Sequence, residues 1–122
     1  MDWKLEVATI PVADLDRAKE FYADKLGFKV DVDNEVGDWR NIQLTPRGSA
    51  CSLAIGKGFH HGLQLVVSDA VAARQELVSR GVEVGEIVHF EGSNQVAGPG
   101  GPYNTFFFFQ DPDGNNWAVQ EK

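Results

Sequence analysis

The chain has a single cysteine, Cys51, among its 122 residues. An internal disulfide is excluded, and a lone thiol suits a reducing compartment such as the cytoplasm. No apolar run approaches the ~20 residues of a membrane-spanning helix, so no membrane partner is expected. The opening residues Met1, Asp2, Trp3, Lys4, Leu5 and Glu6 lack the basic and apolar regions of a signal peptide. Positive charge is scarce. Eleven Lys and Arg stand against 18 Asp and Glu, a formal charge of −7. No basic patch offsets this, so nucleic acid is a poor partner. A neutral or cationic small molecule fits the balance better, although surplus carboxylates also serve solubility. Neither glycine-rich stretch, around Lys57 or at 98–102, matches a phosphate loop with its lysine and hydroxyl.

What remains is an ordinary globular composition, 43% hydrophobic and 24% charged. Within it one pattern occurs twice. Residues 5–12 read as a strand and 14–26 as a helix. Asp14 is placed to cap that helix, and Leu15, Ala18, Tyr22 and Leu26 recur at helical spacing. Strands follow at 28–33, 38–45 and 50–55, separated by turn-forming residues. The second half repeats the order, with a strand at 62–67, a helix at 69–80 and a strand at 82–90. A hairpin of 104–110 with 116–120 closes it around Asp111, Pro112, Asp113 and Gly114. The joint falls at Gly56, Lys57 and Gly58. The chain therefore reads as α+β, with one βαβββ module over 1–57 and another over 58–122. About 60 residues bury too little surface to be comfortably stable alone, so the modules should pair within one chain or between two. Strand alternation sends Ala8, Ile10 and Val12, and likewise Leu63, Leu65 and Val67, toward the helices. It leaves Val7 and Thr9, and Gly62, Gln64 and Val66, to line a ligand cleft.

This organisation resembles the vicinal oxygen chelate superfamily, which includes glyoxalase I, bleomycin-resistance proteins, fosfomycin-resistance enzymes and extradiol dioxygenases. The resemblance rests on Val12-Ala13-Asp14-Leu15-Asp16-Arg17-Ala18, Phe21-Tyr22, Leu26-Gly27-Phe28 and Asp111-Pro112-Asp113-Gly114-Asn115, together with the two-module order. It implies paired βαβββ modules in a curved mixed sheet around a ligand cleft, and a homodimer. It does not imply one reaction, because the superfamily hosts several chemistries as well as pure binders.

Metal-dependent members carry His or Glu at four strand positions facing the cleft. By the resemblance three of these fall here on Val7, Gly62 and Ala118, and the fourth within 52–54. None of these residues is a His, Cys, Asp or Glu, so no metal and no cofactor is expected, with a divalent metal as the alternative. His60 and His61 are the objection, since His61 directly precedes a family ligand position. Three readings stay open for them: metal ligands, joined by His89, Glu6 or Glu121; a general base, since imidazole titrates near neutrality; or polar residues at a strand edge.

Other residues point to binding. In the strand Phe106-Phe107-Phe108-Phe109, two rings face each way. Phe106 and Phe108 should face the cleft with Asn104 above them, and Phe107 and Phe109 should pack under the helices; the alternative is that all four are core. Trp39 and Gln43 share a face of the opposite wall, and Arg40 points away. Trp117 is expected in the core. The 91–103 segment reads as a long irregular loop, either a lid that brings Tyr103 to the cleft mouth or a plain insertion. Cys51 has no activating neighbour in sequence and reads as an inert thiol. The expected ligand-binding set is Val7, Thr9, Trp39, Gln43, Gln64, Tyr103, Asn104, Phe106, Phe108 and Ala118. The leading expectation is a metal-free, cytoplasmic, homodimeric binder of a small organic molecule, aromatic or cationic. The alternative is a lyase or isomerase working through His60 or His61, with or without a metal.

Overall fold

A computed structural model describes residues 2–37, 39–56 and 62–122, with the backbone alone at Val36 and Trp39. The fold is mixed α+β. The chain forms two compact units, Glu6–Gly62, and Met1–Leu5 together with Leu63–Lys122.

The first unit contains most of β1 (Lys4–Pro11), helix α1 (Leu15–Lys19), β2 (Lys29–Val36), β3 (Trp39–Thr45) and β4 (Ser52–Gly56). Its strands lie in the order β2-β3-β4-β1, with β1 and β4 parallel and the other pairs antiparallel. Asp14 caps α1, its carboxylate accepting from Arg17 N at 3.1 Å. Ile42, Leu44 and Ile55 are fully buried, with Ile10, Val12, Leu15, Ala18, Tyr22 and Ala23 packed against them. One face of each strand is thereby committed to the helix.

The expected helix over 14–26 is not α-helical throughout. Residues Glu20–Lys25 form a π-helical stretch, and Leu26 N donates to Phe21 O, five residues back. The wider turn delays the helical register. Leu26, which an unbroken repeat would place on the core stripe, is largely exposed, and Ala23 joins the core instead.

A charge network ties this helix to the sheet. Asp33 accepts from Lys19 Nζ at 2.7 Å and from Arg40 Nε and Nη2 at 2.9 Å each. Arg40 Nη1 also donates to Asp16 at 2.7 Å. Arg40 lies next to Ile42 on the helix side of β3, away from Gln43, as alternation requires.

The second unit contains the rest of β5 (Gly62–Val67), helix α2 (Ala70–Ser79), β6 (Val88–Glu91), β7 (Asn94–Ala97), β8 (Phe106–Gln110) and β9 (Asn116–Glu121). Its strand order is β5-β9-β8-β6-β7, with β5 and β9 parallel. Asp69 caps α2 through Ala72 N at 3.0 Å. Phe107, Val119, Val67, Ala70 and Ala73 form the core, with Phe109, Leu65, Leu77 and Trp3 packed on it. Trp3, brought in by the N-terminal segment, had no role in the sequence reading. Trp117 stacks on Phe109 at 6.1 Å, on the core side as expected. Asp111 closes the β8–β9 hairpin. Its carboxylate accepts from the Asn115 side chain and from the backbone N–H of Asn115 and Asp113. Those bonds hold it below the usual carboxylate range, the Asn115 amide first among them.

Two expectations about 82–103 are corrected. The strand expected over 82–90 is regular only from Val88. Before it, Gly85 is held singly, its N–H by Phe108 O and its C=O by Arg74 Nε, so no continuous ladder forms. The 91–103 segment is not all loop. Residues Asn94–Ala97 pair antiparallel with β6 across Gly92 and Ser93. Gly92 adopts φ 64°, the left-handed conformation that a two-residue hairpin turn requires.

Among the described residues no helix is long and apolar enough to cross a membrane.

The Asp33 network predicts acid sensitivity. Arg40 first, then Lys19, holds the Asp33 carboxyl well below its ordinary value. Its stabilisation is therefore complete above the unfolded carboxylate value of ~3.9 and is lost as pH falls toward the folded value. Asp33→Asn should be less stable than wild type at pH 7, and the gap should narrow below about pH 4. Urea midpoints measured from pH 7 to 2.5 check this, and a gap independent of pH would contradict it.

Candidate functional site

The strand face opposite the helix holds part of the expected set: Val7, Thr9 and Gln43 in the first unit, and Gln64, Phe106, Phe108 and Ala118 in the second. In the first unit, pairing sets Gln43 between Val32 and Ala54, Ala54 beside Thr9, and Ser52 beside Val7. Val7 is buried and Gln43 half-buried. The Thr9 hydroxyl donates to Gly62 O at 2.9 Å and accepts from Gly62 N at 2.7 Å. The Trp39 side chain, and all of His60 and His61, lie outside the described residues.

The second unit presents an aromatic face. Register places Gln64, Ala118 and Phe108 in one row across β5, β9 and β8. Val66, Gln120, Phe106 and Val88 form the next row. The rings of Phe106 and Phe108 are parallel, 3° apart with centroids at 6.2 Å. Phe90 stands edge-on to both, at 5.3 and 6.3 Å, a favourable arrangement of ring quadrupoles. Phe108 is 37% exposed, so an aromatic ring is open to solvent beside the small side chain of Ala118.

Phe90 is positioned by Asn104. The ladder pairs Val88 with Phe106, and the next antiparallel pair along it would be Phe90 with Asn104. The Asn104 backbone is diverted there, its N–H donating to Gly101 O. Its side chain replaces the missing strand: Oδ1 accepts from Phe90 N and Nδ2 donates to Phe90 O, both at 2.8 Å. Asn104 therefore acts on the face through Phe90, because both its polar groups are committed. That differs from the ligand-contacting role expected of it.

The turn that delivers Asn104 is closely packed. A Cβ on Gly100 would come within 2.3 Å of Asn104 O and 2.7 Å of His89 Cβ, so only glycine fits. Tyr103 has φ 58°, the only left-handed non-glycine conformation among the described residues. Its ring is exposed, and its carbonyl accepts from Gln120 Nε2 at 2.8 Å. Gln120 Oε1 in turn accepts from Gln64 Nε2 at 2.7 Å.

His89, Glu121 and Cys51, also weighed for chemistry, are each hydrogen-bonded. His89 Nδ1 meets Gly98 O and its Nε2 meets the Glu91 carboxylate, each at 2.9 Å. Both partners can only accept, so the geometry favours the doubly protonated ring. The Gly98 carbonyl first, then Glu91, raises its pKa. Glu121 lies on the helix side and accepts from Ala70 N at 3.0 Å. Cys51 is half-buried, its Sγ 3.7 Å from Ser52 O.

The residues at the family's ligand positions do not suit a divalent cation. Val7, Gly62 and Ala118 stand where the resemblance expects ligands, and Ser52, Leu53 and Ala54 supply no imidazole or carboxylate. Among the described residues no three His, Cys, Asp or Glu are grouped to hold a metal. Two open grooves lie elsewhere. One of about 740 Å³ is lined by residues including Val82, Phe109 and Pro112, and one of about 580 Å³ by residues including Asp14, Glu35 and Arg40. Neither includes a residue of the aromatic face.

Sequence reasoning missed Phe90 and Gln120. Gln120 was within reach, two residues beyond Ala118 on the same strand face. Phe90 was not, because its register follows from a hairpin that was read as loop.

The model of the Glyoxalase/Bleomycin resistance protein/Dioxygenase superfamily matches residues 4–119, and the chain belongs to that family. Methylmalonyl-CoA epimerase from Mycobacterium tuberculosis is 25% identical at a TM-score of 0.73, with 96% of this chain and 86% of that chain covered. A variant of the Streptomyces coelicolor methylmalonyl-CoA epimerase is 19% identical at 0.71, with 98% and 96% covered, and shares the fold. An antibiotic binding protein from Streptomyces sp. CB03234 is 28% identical over 97% and 94% of the two chains, with a TM-score of 0.43. No curated protein matches the sequence.

The Asn104 clamp yields a prediction. Asn104→Ala strands the N–H and C=O of Phe90 together, which should cost about 1–3 kcal/mol of unfolding free energy. It should also speed exchange of the Phe90 amide hydrogen. Urea unfolding and hydrogen exchange read the two effects, and an unchanged midpoint would refute the clamp.

Proposed function

We propose that the protein binds a small, planar organic molecule on the aromatic face of its second module, and does so without a metal ion. The observation that carries this reading is the Phe108 ring, parallel to Phe106, braced by Phe90 and open to solvent beside Ala118. Stacking on such a ring is worth about 0.5–1.5 kcal/mol beyond the area it buries. A neutral or cationic ligand is favoured, since the chain carries a formal charge of −7 and the described face holds no charged side chain. The proposal takes the protein to be a homodimer in the cytoplasm, the state implied by the family resemblance and the compartment suggested by the lone cysteine.

Thermal unfolding with a panel of planar aromatic compounds tests the reading. At least one should raise the melting temperature saturably, because a ligand of the folded state stabilises it by mass action. Phe108→Ala should weaken that ligand about tenfold, the equivalent of ~1.4 kcal/mol. A panel without effect, or an effect untouched by Phe108→Ala, would overturn the proposal.

A second reading is favoured by the likeness to the Mycobacterium tuberculosis methylmalonyl-CoA epimerase. On it the chain is an isomerase, with His60 or His61 moving the proton and the face holding the substrate. Against it, a CoA thioester brings several phosphate charges to an acidic chain. Incubation with methylmalonyl-CoA in D₂O separates the two. An isomerase would wash deuterium into the substrate, and His60→Ala or His61→Ala would stop it. The binder would leave the substrate unlabelled.

A further inference from the structure

We propose that the ligand of the aromatic face is one that donates a hydrogen bond, and that Gln64 Oε1 accepts it. This inference rests on the binding role proposed above and adds a chemical class to it. It follows from the direction of an amide relay.

The relay starts at the Tyr103 carbonyl. A carbonyl can only accept, so Gln120 must turn its Nε2 toward it. That fixes the Gln120 amide and points Oε1 at Gln64. An oxygen can only accept there too, so Gln64 must present Nε2, at 2.7 Å. The last oxygen of the chain, Gln64 Oε1, then faces away from Gln120. It has no partner among the described residues. Gln64 is only 8% exposed, yet no described buried polar side-chain atom lacks a partner. Oε1 therefore keeps access to solvent. It is an acceptor in a largely dry place, and a ligand donor that replaces its water regains a bond in low dielectric.

Placement joins this oxygen to the aromatic ring. Gln64 and Phe108 flank Ala118 on the same face, roughly 10 Å apart at a strand spacing of ~4.8 Å. The methyl of Ala118 leaves the space between them open. A planar guest cannot slip between Phe106 and Phe108, because 6.2 Å between centroids is less than the ~7–8 Å that two stacking contacts need. It must use the exposed part of Phe108 instead, from which its edge can reach across Ala118 toward Gln64.

Matched naphthalenes test the polarity. 2-Naphthol carries a donor, 2-methoxynaphthalene lacks it, and 2-acetylnaphthalene offers only an acceptor. Isothermal titration of the wild-type protein should rank 2-naphthol about tenfold tighter than the other two. In Gln64→Leu the preference should fall to about twofold or less, while all three still bind. Equal binding of the three to wild type would overturn this inference and leave the aromatic reading standing. Tighter binding of 2-acetylnaphthalene would overturn it by showing the relay reversed. Failure of all three to bind would overturn the aromatic reading, and this inference with it. The wild-type ranking decides the matter even if the variant does not fold.

Discussion

Strand β8 builds the core and the candidate binding face at once. Four consecutive phenylalanines alternate across it. Phe107 and Phe109 pack beneath α2, and Phe106 and Phe108 turn to the other side. A strand has a period of two, so neither pair can move without the other. A one-residue slip would expose the buried pair and bury the exposed one. Phe107 has no exposed surface, so the energy of the core is what holds this register. The face is thereby presented by a strand whose opposite side is fixed in the core.

Acceptor-only groups impose the remaining order. The Tyr103 carbonyl orients Gln120, which orients Gln64. The Gly98 carbonyl and the Glu91 carboxylate together favour a protonated His89. These anchors belong to the segment from β6 to β8. The same segment contains Asn104, whose amide stands in for backbone opposite Phe90. A short stretch of chain thus sets one ring and one amide relay, and its tightness is visible at Gly100, where a methyl group has no room.

The fold was legible in the sequence because it is written in period. Asp14 and Asp69 mark both helices, and alternating apolar residues mark β1, β5 and β9. Alternation, with position relative to Asp111 for the phenylalanines, pointed to the orientations of Phe107, Phe109, Trp117 and Arg40. Three features escaped that logic. The π turn after α1 changes the helical period without any residue that announces it. The β6–β7 hairpin depends on Gly92 and Ser93, a turn signal obscured by the glycines and prolines that follow. The Asn104 clamp is long-range, and side-chain mimicry of a strand leaves no local trace. The face was therefore legible as Phe106, Phe108, Gln64 and Ala118, and incomplete without Phe90 and Gln120.

Charge and polarity act on a ligand at different distances. Some carboxylates are paired internally, Asp33 and Asp16 both with Arg40, and the net charge stays at −7. The remaining field extends over about a Debye length, roughly 8–10 Å at physiological salt, and biases which molecules arrive. It cannot distinguish a phenol from its methyl ether. That distinction needs one acceptor at bonding distance in a place that water reaches poorly, the role proposed above for Gln64 Oε1. Neutral glutamines are suited to the task. A carboxylate at position 64 would face the oxygen of Gln120 and break the relay, whereas an amide both satisfies its neighbour and keeps an oxygen for the guest. Selectivity on this face would then come from hydrogen-bond direction, with the aromatic rings supplying affinity.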